Sequence, residues 1–184
     1  MLKGNKIRFK PLEDDDWENV YNSLENTDEF NFYNPNCMYP ETLKNFKDHF
    51  EDKIKNHEMH LWKILDFENN YVGHIVIASI NQQLKSCEFG IIIKKDQRHK
   101  GYAQDAIITL FKFIFGHMAM NRVSATTICL NEPVIKLNKE LGMKQEGKIR
   151  KAWRYGDKFY DQLLFGMLKE EFYKKYPQEL TLPY

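Results

Sequence analysis

The chain is poor in cysteine. Among 184 residues only Cys37, Cys87 and Cys129 occur, far apart and without a C-x-x-C spacing, which excludes a disulfide framework and a zinc ribbon and points to reduced thiols in a cytoplasmic protein. No apolar run approaches the ~18 residues a membrane helix requires. The opening "MLKGNKIRFK" has no continuous apolar stretch of the signal-peptide kind, so the expectation is a cytoplasmic location and no membrane partner. An excess of one charge is also missing. Lys+Arg 27 against Asp+Glu 26 leaves a net +1, which gives bulk electrostatics no hold on nucleic acid. The six histidines show no H-E-x-x-H spacing, and no metal is expected. Repeats, low-complexity segments, the P-loop pattern and the dinucleotide pattern G-x-G-x-x-G are absent as well. What is present is 42% hydrophobic and 14% aromatic residues, enough for one core of single-domain size. The expected organisation is a single domain over 1–170 followed by a charged C-terminal tail over 171–184.

Periodicity orders the elements. "NKIRFKPL" alternates as a strand until Pro11. The acidic run Asp14, Asp15, Asp16 sits where a helix start favours negative charge, and Trp17, Val20, Tyr21 and Leu24 share one helical face. An irregular aromatic stretch, "TDEFNFYNPNCMYP", leads to a second helix marked by Leu43, Phe46, Phe50 and Ile54. "MHLWKILDF" and "YVGHIVIASI" read as a hairpin about "ENN", and "SCEFGIIIKK" as a third strand. Ala103, Ile107, Leu110, Phe111, Ile114 and Met118 then line one side of a long helix. "NRVSATTICL" is a further strand, and "NEPVIKLNKELG" a short helix with Asn131 as cap, Pro133 in its first turn and Gly142 at its end. A hairpin about Gly156 and Asp157 closes the fold. The order β-α-α-β-β-β-α-β-α-β-β predicts an α+β fold: a mixed, mostly antiparallel twisted sheet of about seven strands, helices on both faces, and one parallel pair flanking the long helix.

The loop "KKDQRHKG" ends at the start of that long helix. A helix N-terminus leaves backbone N–H groups unpaired and carries about half a positive charge, so it draws anions. Arg98, His99 and Lys100 add charge, Gly101 lets a bulky phosphate come close, and Ala103 keeps the next turn small. The loop reads as a pyrophosphate cradle, or else as a basic loop whose glycine only shapes a turn.

Arg98-His99-Lys100-Gly101-Tyr102-Ala103 resembles the [Q/R]-x-x-G-x-[G/A] signature of the GCN5-related N-acetyltransferases. "EFGIII" before it, Asn131, and "ELGMKQEG" after it are similar to the flanking elements of that family. Arg150, Gly156 and Asp161 match the "R…G…D" tail of its branch with ribosomal-protein and spermidine acetyltransferases. The resemblance spans roughly Lys6 to Lys169. It implies acetyl-CoA as cosubstrate, with the pyrophosphate on the amides of Arg98, His99, Lys100, Gly101, Tyr102, Ala103 and Gln104. The pantetheine arm would lie in a splayed strand gap along Ile91, Ile92 and Ile93, faced by Asn131, Val134, Leu137 and Asn138.

An amine acceptor of pKa ~10.4 must lose a proton before it attacks a thioester. Glu88, at the head of the "FGIII" strand, is the candidate base, its carboxylate expected to be partly buried; the alternative is a structural ion pair. The family's usual proton donor to the departing thiol is a tyrosine, and the residue aligned with it here is Asn138. A serine used in part of the branch is Val134. That leaves water, Tyr155 or Tyr160 as donors. Cys87 and Cys129 read as buried structural thiols. By resemblance the acceptor is flanked by Glu29, Phe32 and Tyr33 of the aromatic loop and by Trp153 and Tyr155 of the closing hairpin, and Asp28 with Glu29 would favour a polycation. The expected function is transfer of acetyl to a small-molecule amine or a protein N-terminus, with no nucleic-acid partner and a homodimer possible. The alternative is a catalytically weak regulatory module that binds acetyl-CoA.

Overall fold

A computed structural model describes residues 2–23 and 42–177, and every structural statement below concerns these. Seven strands form one sheet in the order β1-β2-β3-β4-β5-β7-β6. They are β1 (Ile7–Pro11), β2 (Met59–Asp66), β3 (Tyr71–Asn81), β4 (Ser86–Ile93), β5 (Arg122–Ile128), β6 (Lys144–Tyr155) and β7 (Lys158–Leu168). Each neighbouring pair is antiparallel except β4 and β5. The expected mixed sheet with one parallel pair is therefore present.

Helices cover both faces. Over one lie α1 (Trp17–Asn22) and α2 (Leu43–Lys55), whose Trp17, Val20 and Phe46 pack with Leu61 of β2. The opposite face carries α3 (Tyr102–Lys112), which runs into a π-helical turn at Phe113–His117, together with α4 (Glu132–Leu141). Ile107, Leu110, Phe111 and Ile114 of this layer are almost fully buried against Ile75, Ile77, Phe89 and Phe165 of the sheet. Ile107, Leu110, Phe111 and Ile114 recur at the three- and four-residue spacing of one helical stripe, which explains why this segment is a helix and which side it buries.

Local chemistry fixes several ends. Asn131 accepts from the Val134 N–H at 3.3 Å as the cap of α4, and Gly142 ends it in the left-handed region at φ 92°. Asn69, at φ 71°, turns the β2–β3 hairpin. The acidic run forms a 3₁₀ turn at Asp14–Asp16 ahead of α1. There Asp16 bonds Lys63 at 2.6 Å and Asp14 bonds Lys47 at 2.9 Å, so two of the three acids tie this edge to β2 and α2.

Where the sequence predicts a charged tail from residue 171, α5 spans Lys169–Lys175 and Phe172 is fully buried beside Phe111 and Phe115. Two adjacent aromatics, Phe172 and Tyr173, among five lysines and glutamates form no helical stripe to mark the segment, although burial of a phenylalanine is worth about 2 kcal/mol or more. No helix among the described residues is long and apolar enough to cross a membrane.

Candidate active site

The site begins where the parallel pair stops pairing. β4 and β5 are matched only at Ser86 with Arg122, Cys87 with Val123 and Glu88 with Ser124. Beyond Glu88, β4 continues to Ile93 bonded to β3 alone, leaving the outward backbone groups of residues 89–93 without a strand partner on the β5 side. A buried peptide edge of that kind calls for a hydrogen-bonding partner.

Two adjoining cavities with shared wall residues fill the gap. The outer cleft, of about 780 Å³, is walled by Ile91, Ile92 and Ile93, by Gln97, Arg98, His99, Gly101, Tyr102, Ala103 and Gln104, and by the α4 residues Asn131, Glu132, Pro133, Val134, Lys136, Leu137 and Glu140. The inner chamber, of about 230 Å³, shares Ile91, Ile92, Asn131, Val134 and Leu137 with the cleft. It adds Asn138, Ile107, Thr126, Thr127 and Trp153, and also Val20, Phe50, Leu61, His74 and Val76 from the α1–α2 side. Its walls thus come from both faces of the sheet, as expected for a passage through the splay.

At the mouth of the outer cleft the start of α3 is shaped for an anion. Gly101 occupies the left-handed region at φ 81°, and a β-carbon there would stand 2.9 Å from Lys6 Nζ. Lys6 itself donates to the Lys100 carbonyl at 2.9 Å. Asp105 in the first turn of α3 accepts the backbone N–H groups of Asn5, Lys6 and Ile7 at 2.9, 2.7 and 3.2 Å, pinning the helix start to the beginning of β1. Gly101, Tyr102, Ala103 and Gln104 of that turn line the cleft, and first-turn amides of a helix have no intrahelical acceptor. Arg98 Nε donates to the Ile93 carbonyl at 3.1 Å, locking the loop to the end of β4.

Most of the cofactor-binding set expected from sequence converges on these walls: Ile91, Ile92, Ile93, Arg98, His99, Gly101, Tyr102, Ala103, Gln104, Asn131, Val134, Leu137 and Asn138. Lys100 does not. Its ammonium donates to Gln97 at 2.8 Å and its carbonyl faces Lys6, so it stands outside the walls. Trp153, nearly buried, lines the inner chamber, whereas Tyr155 is outside it and packs near Tyr160 with ring centroids 6.4 Å apart. Glu29, Phe32, Tyr33 and Asp28 lie outside the described residues.

Glu88 also departs from expectation. It is exposed rather than partly buried, lies outside both cavity walls, and accepts a long 3.4 Å hydrogen bond from Ser79 Oγ. Alternation along β4 nevertheless puts it on the face of Gly90, whose missing β-carbon makes room for Val76 at 3.1 Å on the α1–α2 side. Cys87 is buried, which pushes its thiol up to about 12, as the structural reading expects. Cys129 is only partly buried.

The residue the sequence did not disclose is His74. It is the one titratable side chain among the described walls of the inner chamber. Burial lowers its pKa to about 4, so the ring is neutral at ordinary pH, and Nδ1 lies 3.0 Å from the Tyr71 hydroxyl. Burial also raises the Tyr71 pKa, keeping the phenol protonated. A histidine alternating among isoleucines and valines in β3 carried no signal of its own; only the pairing with Ile92 across β3 and β4 brings it to the gap.

A splayed strand pair, a glycine-started helix and a two-sided passage are the features that define this site. Residues 6–144 match the family model described as "Acetyltransferase (GNAT) domain", and the chain belongs to that family. It is 25% identical over 169 residues to the SPbeta prophage-derived uncharacterized N-acetyltransferase YokL of Bacillus subtilis, covering 92% of this chain and 93% of that one. It is 20% identical to the spermidine N(1)-acetyltransferase of Vibrio cholerae, covering 86% and 90% respectively. In fold it is similar to the spermidine N-acetyltransferase of Vibrio cholerae solved with CoA and spermine, at a TM-score of 0.83 and 19% identity over 91% of this chain and 98% of that one.

Proposed function

We propose that the protein is an acetyl-CoA-dependent N-acetyltransferase acting on a primary amine. The observation that carries this reading is the pair of adjoining cavities from the Gly101 turn to the inner chamber, bounded on one side by the unpartnered edge of β4. The residues present fit the group: a helix start at Gly101 at one end, an open peptide edge along the middle, and the inner chamber at the other end. The amides from Arg98 to Gln104 would hold the pyrophosphate, with Arg98 and His99 adding charge. The backbone of Ile91 to Ile93 would pair with the pantetheine arm, and Asn131, Val134 and Leu137 would close over it. When bound, the cosubstrate supplies an activated acetyl thioester.

The acceptor approaches from the α1–α2 side, where Val20, Phe50, Leu61, Val76 and Trp153 exclude water. Glu88 faces the same side but stands two residues from Gly90, about 7 Å along the strand, so it takes the amine's proton through a bridging water. A small-molecule amine is the acceptor class favoured by the Vibrio cholerae relatives, whose names specify spermidine. The regulatory-module alternative rests on the absence of an acidic donor at Asn138 and predicts binding without turnover.

Thiol release from acetyl-CoA across a panel of polyamines, amino sugars, arylalkylamines and peptides tests the proposal. Release above background with at least one acceptor is expected. Tight acetyl-CoA binding with no release from any member would favour the regulatory module. Glu88→Gln addresses the proton route, and an unchanged pH–rate profile in that variant would remove Glu88 from it.

A further inference from the structure

His74 brings a polar ring into a largely apolar stretch of the inner chamber. It is 6% exposed and stands in the wall with Val20, Phe50, Leu61 and Val76. Alternation along β3 sets His74 and Val76 on one face of the sheet, the face that α1 and α2 cover. Lys63, its neighbour across β2 and β3, gives its ammonium to Asp16 at 2.6 Å and is not among the chamber walls.

The two ring nitrogens differ. Nδ1 lies 3.0 Å from the Tyr71 hydroxyl. Nε2 has no hydrogen-bond partner among the described residues, yet it is not sealed off, because the side-chain polar atoms there that are both sealed and unpartnered are Arg8 Nε and Asn138 Nδ2. The opening that His74 borders is the inner chamber. Burial keeps the Tyr71 phenol protonated, and its hydroxyl has no other partner among the described residues, so it donates to Nδ1. The neutral ring then carries its own proton on Nε2, since the bond made at one nitrogen sets the tautomer at the other.

Resting on the proposed function, we infer that the Nε2–H of His74 is a specificity-determining donor to a neutral oxygen of the acceptor, so that the favoured substrate is an amine with an apolar body and a hydroxyl or carbonyl at its far end. A second ammonium at that end would meet an N–H group instead of an acceptor. Strand register sets the spacing: Val76 opposes Gly90 and His74 opposes Ile92, which puts the donor's residue two positions, about 7 Å, from the notch at Gly90. A chain of about five carbons between nitrogen and oxygen covers that distance.

Thiol release from acetyl-CoA with three amines of equal length provides the test: aminopentanol ends in a hydroxyl, hexylamine in a methyl group and cadaverine in a second ammonium. Wild type is expected to favour aminopentanol over hexylamine by roughly tenfold in kcat/KM, because a buried donor left unmet is costly, and to use cadaverine least. His74→Phe should bring the aminopentanol-to-hexylamine ratio to about one or below. Tyr71→Phe releases the tautomer and should lower the ratio part of the way. Each ratio is read within one protein preparation, so a partly unfolded variant does not alter it. A ratio near one in wild type, a preference for cadaverine, or a hydroxyl preference that survives in His74→Phe overturns the inference and leaves the proposed function standing. Silence with all three amines also overturns the inference, and failure of the wild type to bind acetyl-CoA removes the proposed function with it.

Discussion

The two ends of the cleft are built on different principles. The outer mouth is made of backbone: the turn at Gly101, the first amides of α3, and the edge of β4 held open by the splay. The inner chamber is lined by residues of four strands, β2 to β5, by two helices over each face, and by the closing hairpin. A backbone site tolerates varied side chains provided the chain can adopt the required φ and approach distance. A side-chain chamber takes its chemistry from residues distant in sequence, so single replacements change what it does rather than whether it forms.

The largest effect that would sharpen this contrast is at the mouth. Gly101→Val places a β-branched residue in the left-handed region, with its β-carbon 2.9 Å from Lys6 Nζ, beside the proposed phosphate site. Loss of acetyl-CoA affinity by roughly a hundredfold or more is expected by calorimetry, equivalent to about 3 kcal/mol, with the far-ultraviolet spectrum retained. An affinity within a few-fold of wild type would break the assignment of the mouth to the phosphates.

His74 provides the corresponding test of the chamber. Its folded pKa of about 4 lies below the unfolded value of 6.5, so between these values the unfolded chain binds a proton that the folded chain refuses. Stability is therefore complete above about pH 6.5 and falls as the pH drops toward 4, by up to about 3 kcal/mol. Urea midpoints of wild type minus His74→Phe across this window should isolate the slope. The carboxylates whose pKa values are depressed, among them Glu146 beside Arg122 and Glu171 beside Lys144, contribute stability that is lost only below their unfolded values near pH 4.5, and they cancel in the difference. A flat difference would show that the ring is not buried.

A smaller effect is expected where the mouth is pinned. Asp105→Ala removes the acceptor of three backbone N–H groups at the start of β1 and should lower stability by about 1–2 kcal/mol. It should weaken acetyl-CoA binding several-fold, because the first turn of α3 loses its anchor. The smallest change is predicted for Lys100→Ala, whose side chain stands outside the walls: calorimetry should find acetyl-CoA affinity within about threefold, the residual coming from long-range charge.

The geometry of the mouth is legible in the sequence because its requirements are local. A glycine preceding an apolar helical stripe and following an apolar strand fixes a turn, a free helix start and a phosphate-sized approach within seven residues, and Asn131 and Gly142 delimit α4 by similarly local rules. The acceptor side was read less well. Glu88 was chosen for its place at the head of an apolar strand, but exposure depends on what covers the strand, and α1 and α2 leave it in solvent. His74 was passed over because an isolated histidine within a β-branched run has no periodicity to distinguish it.

Strand and helix periods, turn glycines, caps and the turn at Gly101 were determined by the chain itself, since each depends on side-chain sterics and hydrogen bonds within a few residues. Tertiary structure alone decided which polar groups meet in the passage. The register of β3 on β4 placed His74 opposite Ile92, the parting of β4 from β5 opened the gap, and the packing of α4 set Asn138 in the wall of the inner chamber. Those placements follow from contacts between residues tens of positions apart, which local preference does not encode.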